Sequence, residues 1–201
     1  MMDRVLKIEP MNTKKLQITL ESGLQFCLYR TEVKRLGWEE DTELPTAEYE
    51  KLRREIMLPR CKKRIAFWLQ SRDISSFEVR KKLHRQYPQE VVDAALSWYC
   101  DRGYIDDMKY GKNLIEQWSA RYSRRKIREK LCLKGFPSDF TTALLEESEA
   151  ENEQQLICQY LKRKRIALPL SDVKERERLI RRLLSRGFSW SDVRSVLDAN
   201  Y

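Results

Sequence analysis

Glycine and proline are scarce, six of each in 201 residues. Both interrupt regular structure, so a chain this poor in them is expected to be mainly helical. Histidine occurs once, as His84 in Lys81-Lys82-Leu83-His84-Arg85. That pattern reads as a basic surface helix, and a lone histidine excludes most imidazole-based catalytic or metal constellations. The five cysteines, Cys27, Cys61, Cys100, Cys132 and Cys158, are odd in number and form no CxxC. They fit neither a zinc site nor a disulfide framework, and read as buried small hydrophobes of a reduced, cytoplasmic protein. No apolar run approaches the length of a membrane span, and Met1-Met2-Asp3-Arg4-Val5 has no signal-peptide core. There is no P-loop, no dinucleotide fingerprint and no Ser or Cys nucleophile motif. The expectation is a protein that is not an enzyme and holds no cofactor and no metal.

Charge, in contrast, is abundant. Charged residues make up 35% of the chain, against an average of about 25%. Hydrophobic residues still reach 41%, enough to bury a core. Lys+Arg number 40 against Asp+Glu 31, a net charge of +9. Residues 1–60 hold 11 of each sign, so the whole excess lies in 61–201. The densest stretch is 108–136, where Lys109, Lys112, Arg121, Arg124, Arg125, Lys126, Arg128, Lys130 and Lys134 face only Glu116 and Glu129. An acidic run follows, with Glu146, Glu147, Glu149, Glu151 and Glu153. Alternating patches of this kind steer encounters with charged partners.

The neutral head, residues 1–60, reads as a small β-rich (α+β) segment. Val5-Leu6-Lys7-Ile8-Glu9, Leu16-Gln17-Ile18-Thr19-Leu20 and Leu24-Gln25-Phe26-Cys27-Leu28-Tyr29 alternate apolar and polar residues, as three half-buried strands do. Leu24, Phe26 and Leu28 would share one face. Thr31–Leu36 then starts a short helix that Gly37 can end. Thr46 can cap a second helix through about Met57, closed by Pro59. No chemistry is evident in the head, which reads as a docking or folding unit.

The body repeats with a period of about 50 residues. Its anchors are Val79/Leu83/Tyr87, Ile127/Leu131/Gly135 and Leu179/Leu183/Gly187. The i, i+4 spacing puts each apolar pair on one helix face. Gly135 and Gly187 suit the left-handed residue that ends a helix, and Pro88 after Tyr87 stops the first copy by another route. Each anchor helix is preceded by one carrying Ile65/Trp68/Leu69, Leu114/Ile115/Trp118 or Leu156/Ile157/Tyr160/Leu161. Each is followed by one carrying Val92/Leu96, Phe140/Leu144 or Val193/Leu197. Ser75-Ser76-Phe77-Glu78 has the form of a capping box, and Ser138-Asp139 and Ser191-Asp192 stand where N-caps belong. The body is thus expected to be three tandem three-helix repeats, 61–107, 108–150 and 151–201, stacked in an elongated array suited to extended partners.

In the middle repeat, Ile127 and Leu131 point to the core. Lys126, Lys130 and Lys134 form one outer stripe, and Arg121, Arg124, Arg125 and Arg128 another surface. These seven cations are the candidate partner- or DNA-binding residues, since guanidinium and ammonium groups suit carboxylates and phosphates. Phosphate contact alone would be sequence-independent and salt-sensitive. Three helices with a basic middle member also resemble helix-turn-helix units, which makes a nucleic-acid-binding module the alternative reading. Against base readout, the exposed positions are nearly all Arg and Lys. An adaptor of unknown partner is the third possibility. Trp68 and Trp118 fall in step with the apolar doublets and read as core, whereas Tyr122 stays open between core and base stacking. Asp106 and Asp107 read as an N-cap and first-turn residue, with no third carboxylate at ligand spacing.

Gly103-Tyr104-Ile105-Asp106-Asp107, then Tyr110-Gly111, then Lys126-Ile127-Arg128-Glu129-Lys130-Leu131-Cys132-Leu133-Lys134-Gly135-Phe136 resemble the RecX family, regulators of the bacterial recombinase RecA. Ala66-Phe67-Trp68-Leu69 with Ser71-Arg72, and Glu78-Val79 with Leu83, match the family's opening helices. The resemblance covers about residues 60–201. It assigns a structural role to Gly103, Tyr104, Asp106, Asp107, Leu131 and Gly135. The family often has alanine where Gly111 stands and glycine near Ser123. The resemblance implies a curved, elongated molecule of three three-helix repeats; the chain is expected to be a monomer. It implies binding in the groove of the RecA–DNA filament, with DNA contacted weakly or through the filament. Lowered ATPase and strand exchange and blocked filament extension would follow.

Overall fold

The structure is a computed structural model that describes residues 2–148, 152–170 and 172–199. It divides into two compact units, Met1–Asp106 and Asp107–Tyr201.

The first unit opens with an antiparallel sheet of β1 (Met2–Pro10), β2 (Lys15–Leu20), β3 (Gln25–Tyr29) and β4 (Glu43–Pro45), in the order β3-β2-β1-β4. The three expected strands are present, and Phe26 and Leu28 are buried on one face. β4 was not foreseen, because three residues are too few to show alternation. Its place is set by pairing, Asp3 with Leu44, and by burial of Leu44. Cys27 is buried on the opposite face because the segment after Leu83 covers the β3 edge. The Cys27 N–H donates to the Gln86 carbonyl at 3.0 Å. Capping an open edge in this way removes a template for unwanted pairing. α1 (Arg30–Leu36) ends at Gly37, whose φ of 68° is left-handed.

The second helix departs from expectation. α2 (Thr46–Leu52) follows Pro45, which holds the N-cap position expected for Thr46. It runs through a π-helical turn, Arg53–Met57, directly into α3 (Leu58–Leu69). Pro59 therefore closes nothing and lies in the first turn of α3. The Leu58 N–H reaches back five residues to the Arg53 carbonyl. That wider turn gives room to a residue without an N–H whose ring would crowd the preceding turn of a regular helix.

The three-helix repeats are α3, α4 (Ser76–Leu83) and α5 (Gln89–Cys100); α6 (Asp107–Ser119), α7 (Arg124–Leu133) and α8 (Ser138–Glu147); and α9 (Glu153–Lys164), α10 (Val173–Ser185) and α11 (Trp190–Asp198). The molecule is thus mainly α with a small N-terminal sheet. Val79, Leu83, Ile127, Leu131, Leu179 and Leu183 are all buried. Gly135 and Gly187 adopt φ of 98° and 93°. The N–H groups of Phe136 and Phe188 then bond back to the carbonyls of Leu131 and Leu183, the bond that closes a left-handed helix end. Both phenylalanines are buried. The first repeat uses Tyr87 N–H to Leu83 C=O instead, since Pro88 has no donor.

The caps of the third helices sit two residues and one residue from expectation. Ser189, not Ser191, caps α11 by accepting the Asp192 N–H at 3.1 Å. Pro137 holds the N-cap position of α8, with Ser138 inside the helix. Ser75 caps α4 as expected, accepting the Glu78 N–H at 3.1 Å. The cysteines divide: Cys27 and Cys61 are buried as expected, Cys158 partly so, and Cys100 and Cys132 are exposed because they fall on outward helix faces. Among the described residues no helix is long and apolar enough to cross a membrane.

One hydrophobic core runs from Val5 of the sheet to Ile105 after α5, so head and first repeat share it. A repeat of this size buries little alone, and the sheet supplies the missing apolar partner. The Glu78 carboxylate receives two hydrogen bonds from Arg72, at 2.5 and 3.0 Å, and lies 3.3 Å from Lys82. The Arg72 hydrogen bonds above all, with the Arg72 and Lys82 charges, hold its pKa below the usual carboxylate range. A depressed folded value contributes stability above the unfolded pKa and loses it as pH falls through the folded one. Glu78→Gln is therefore expected to melt below the parent near neutral pH. It should converge on the parent once pH drops under the carboxylate range, as thermal melts across pH would show.

Candidate partner-binding interface on the basic helix

Ser123 starts α7: its side chain is buried and accepts the Lys126 N–H at 3.2 Å. Ile127 and Leu131, 2% and 0% exposed, set the helix phase. That phase turns Arg125 and Arg128 outward, the Arg125 guanidinium reaching the Gly187 carbonyl at 3.4 Å, and leaves Lys126, Lys130 and Lys134 half-buried; Arg121 is exposed in the turn before the helix. The two sequence-defined surfaces have different fates. Lys130 Nζ lies 4.9 Å over the Trp118 ring and 4.7 Å over Tyr122. Lys134 Nζ lies 5.8 Å over Tyr110 and bonds its hydroxyl at 3.3 Å. Lys126 pairs with Glu129 at 2.7 Å. Lys130 and Lys134 thus lie along aromatic faces as cation–π partners, whereas Lys126 is held by its carboxylate neighbour. Arg128 has no ion-pair partner among the described residues.

Arg124 is turned to the end of α8, where its guanidinium donates to the carbonyls of Leu145 and Ser148. Its backbone N–H donates to Glu153 at 3.0 Å. Burial pushes the Glu153 carboxyl up, with Asp192 adding to the rise against the Arg124 amide and guanidinium. Trp68 and Trp118, expected in the core, are only half-buried. Arg64 and Lys82 lie over Trp68 as Lys130 lies over Trp118. The Tyr122 ring is flanked by Lys130 and Arg186 and packs within the fold.

A second set of contacts, which spacing did not reveal, fixes the start of α7. The Ser123 N–H donates to the Arg186 carbonyl at 3.1 Å, and the Arg186 guanidinium donates to the Arg121 carbonyl at 3.0 Å. The same guanidinium lies 5.5 Å over Tyr122 and 4.6 Å over Tyr160. Arg163 donates to the Ala120 carbonyl. The glycine turn of the third repeat is pressed against the basic helix. A Cβ placed on Gly187 would meet Ser123 Oγ at 2.5 Å and Lys126 Cβ at 2.6 Å. Leu133, 81% exposed beside exposed Cys132, is an apolar side chain in water at the end of α7.

Leu131 and Gly135 belong to α7 and its closing turn; the other motif residues lie at the joint before α6. Gly103 takes a φ of 69° with open space around it. Tyr104 is 61% exposed and stacks on Trp98 with ring centroids 6.2 Å apart. Asp106 immediately precedes α6 and Asp107 opens it. Gly111 is buried and lets Leu144 of α8 approach where an alanine Cβ would stand 2.5 Å from it. Among the described residues no group of three or more His, Cys, Asp or Glu could hold a metal ion.

Tandem three-helix repeats, with a basic helix at the centre of the middle one, define a helical-repeat binding protein as the class of this chain. The family model for the third three-helix domain of RecX matches residues 151–197. The regulatory protein RecX of Leptothrix cholodnii is 34% identical over 135 residues, covering 65% of this chain and 82% of the relative. That of Vibrio vulnificus is 29% identical over 142 residues, covering 68% and 90%. A crystal structure of a regulatory protein RecX aligns over 98% of this chain and 99% of its own, with a TM-score of 0.52 and 19% identity, a likeness of fold. The chain belongs to the RecX family of regulatory proteins.

Proposed function

We propose that this protein binds the RecA filament assembled on DNA and lowers its ATPase, strand exchange and extension, with the outward face of α7 as a contact surface. Family membership supports the recombinase as partner. The observation that carries the choice of surface is the burial of Ile127 and Leu131, which points Arg125 and Arg128 to solvent. A filament offers both carboxylates and phosphates, and the planar arginine fork suits either. A ligand that binds filament but not free protomers biases the assembly equilibrium. One that bridges protomers in a geometry unlike the active one also slows turnover.

The test is Arg125→Glu with Arg128→Glu, assayed with the matching bacterial recombinase. The fold should be retained by circular dichroism. The concentration for half-inhibition of ATPase should rise by about tenfold or more, one decade per ~1.4 kcal/mol of lost contact. Undiminished inhibition by the folded variant would remove α7 from the interface. A second reading, direct nucleic-acid binding through phosphates alone, is favoured by one feature: the exposed positions are arginines, which meet phosphates without reading sequence. It predicts binding without recombinase and a slope of log K on log salt of about −2 for single strands if three phosphates are met.

A further inference from the structure

Beyond α7, another cationic surface lies on the third repeat. α9 ends in Lys162, Arg163 and Lys164, with Arg165 as its left-handed C-cap. α10 adds Arg178 and Arg182, four residues apart and so on one side. Several neighbouring cations are already engaged: Arg163 by the Ala120 carbonyl, Arg176 and Arg194 by Asp198, Arg181 by Glu177. Arg178 and Arg182 have no ion-pair partner among the described residues. They line a groove of about 250 Å³ with Glu175, alongside Ile166, Leu170 and Leu179. The cations at the end of α9 are explained by the negative end of the helix dipole. That account extends to Arg182, in the last turn of α10, but not to Arg178, which stands mid-helix, nor to the half-buried Ile166 and Leu170 beside them.

We propose that this groove seats an acidic segment of a partner protein, an aliphatic side chain resting on Ile166, Leu170 and Leu179 while neighbouring carboxylates meet Arg178 and Arg182. Two arginines one turn apart match carboxylates by paired hydrogen bonds, and an apolar anchor in a pocket is how such contacts gain affinity. A nucleic acid would use the arginines but leave the aliphatic floor idle, and no aromatic ring lines the groove to stack a base. Glu175 on the rim repels carboxylates, which directs them toward Arg178 and Arg182. This proposal does not depend on the recombinase reading.

The experiment uses the full chain labelled with ¹⁵N. Its probes are a short peptide alternating glutamate and leucine, a matched glutamate–serine peptide, and an oligothymidylate of equal length. The leucine peptide is expected to shift the amides of Ile166, Leu170, Arg178, Leu179 and Arg182, with the serine peptide at least about fivefold weaker. Arg178→Glu with Arg182→Glu should weaken the leucine peptide about tenfold. Lys162→Glu with Lys164→Glu, the same change in net charge off the groove, should stay within about twofold. No shifts at millimolar peptide, equal response to both peptides, equal loss in both double variants, or shifts from the oligonucleotide alone would each overturn the proposal.

Discussion

Gly187→Ala is expected to lose about 3 kcal/mol of stability, combining the cost of a left-handed alanine with overpacking. Two effects add at this position. The φ of 93° lies where a Cβ clashes with its own backbone. The added methyl would also press on Ser123 Oγ and Lys126 Cβ, the first of which is the cap of α7 and the second its first turn. Neither neighbour can yield without disturbing the helix start. Gly103→Ala is the control: its φ is 69°, but nothing lies within 4 Å of the added atom. It should cost only the backbone part, about 1–2 kcal/mol. Urea unfolding of both variants measures the difference. Equal costs would show that the turn of the third repeat does not press on α7.

The second large effect is expected from Leu131→Ala, about 3 kcal/mol, against less than about 0.5 kcal/mol for Leu133→Ala. The residues are two positions apart on one helix, yet one is 0% and the other 81% exposed. Removing Leu131 leaves a cavity under α7, whereas removing Leu133 takes away an atom group already in water. The comparison tests the helix phase directly, and with it the claim that Arg125 and Arg128 face solvent. A reversed order of the two costs would place the arginines inward and withdraw the proposed interface.

Much of this architecture could be read along the chain. The i, i+4 leucines, the turn glycines and the doublets of the flanking helices located all three repeats, because burial of one helix face leaves a period in the residues themselves. Features shorter than a period escaped. β4 is three residues long, the caps of α8 and α11 differ from expectation by one or two positions, and a π-turn carries the chain through Pro59. Proline ends regular helices, so a reading from local rules stops there, and the wider turn is visible only in the hydrogen bond from Leu58 to Arg53.

The candidate site shows the same division. By itself the sequence determined that a basic helix sits on the middle repeat, with Ile127 and Leu131 inward and two sets of cations outside. Only the tertiary structure decided which cations remain available. Lys130 and Lys134 are drawn over the aromatic rings of Trp118, Tyr122 and Tyr110, Arg124 is taken by the end of α8, and Arg125 and Arg128 are left outward. It also decided that Arg186 and Gly187 hold the start of α7 from some sixty residues away. Periodicity reports which side of a helix is buried, but contacts between residues distant in the chain depend on how the helices pack, and no local spacing encodes that.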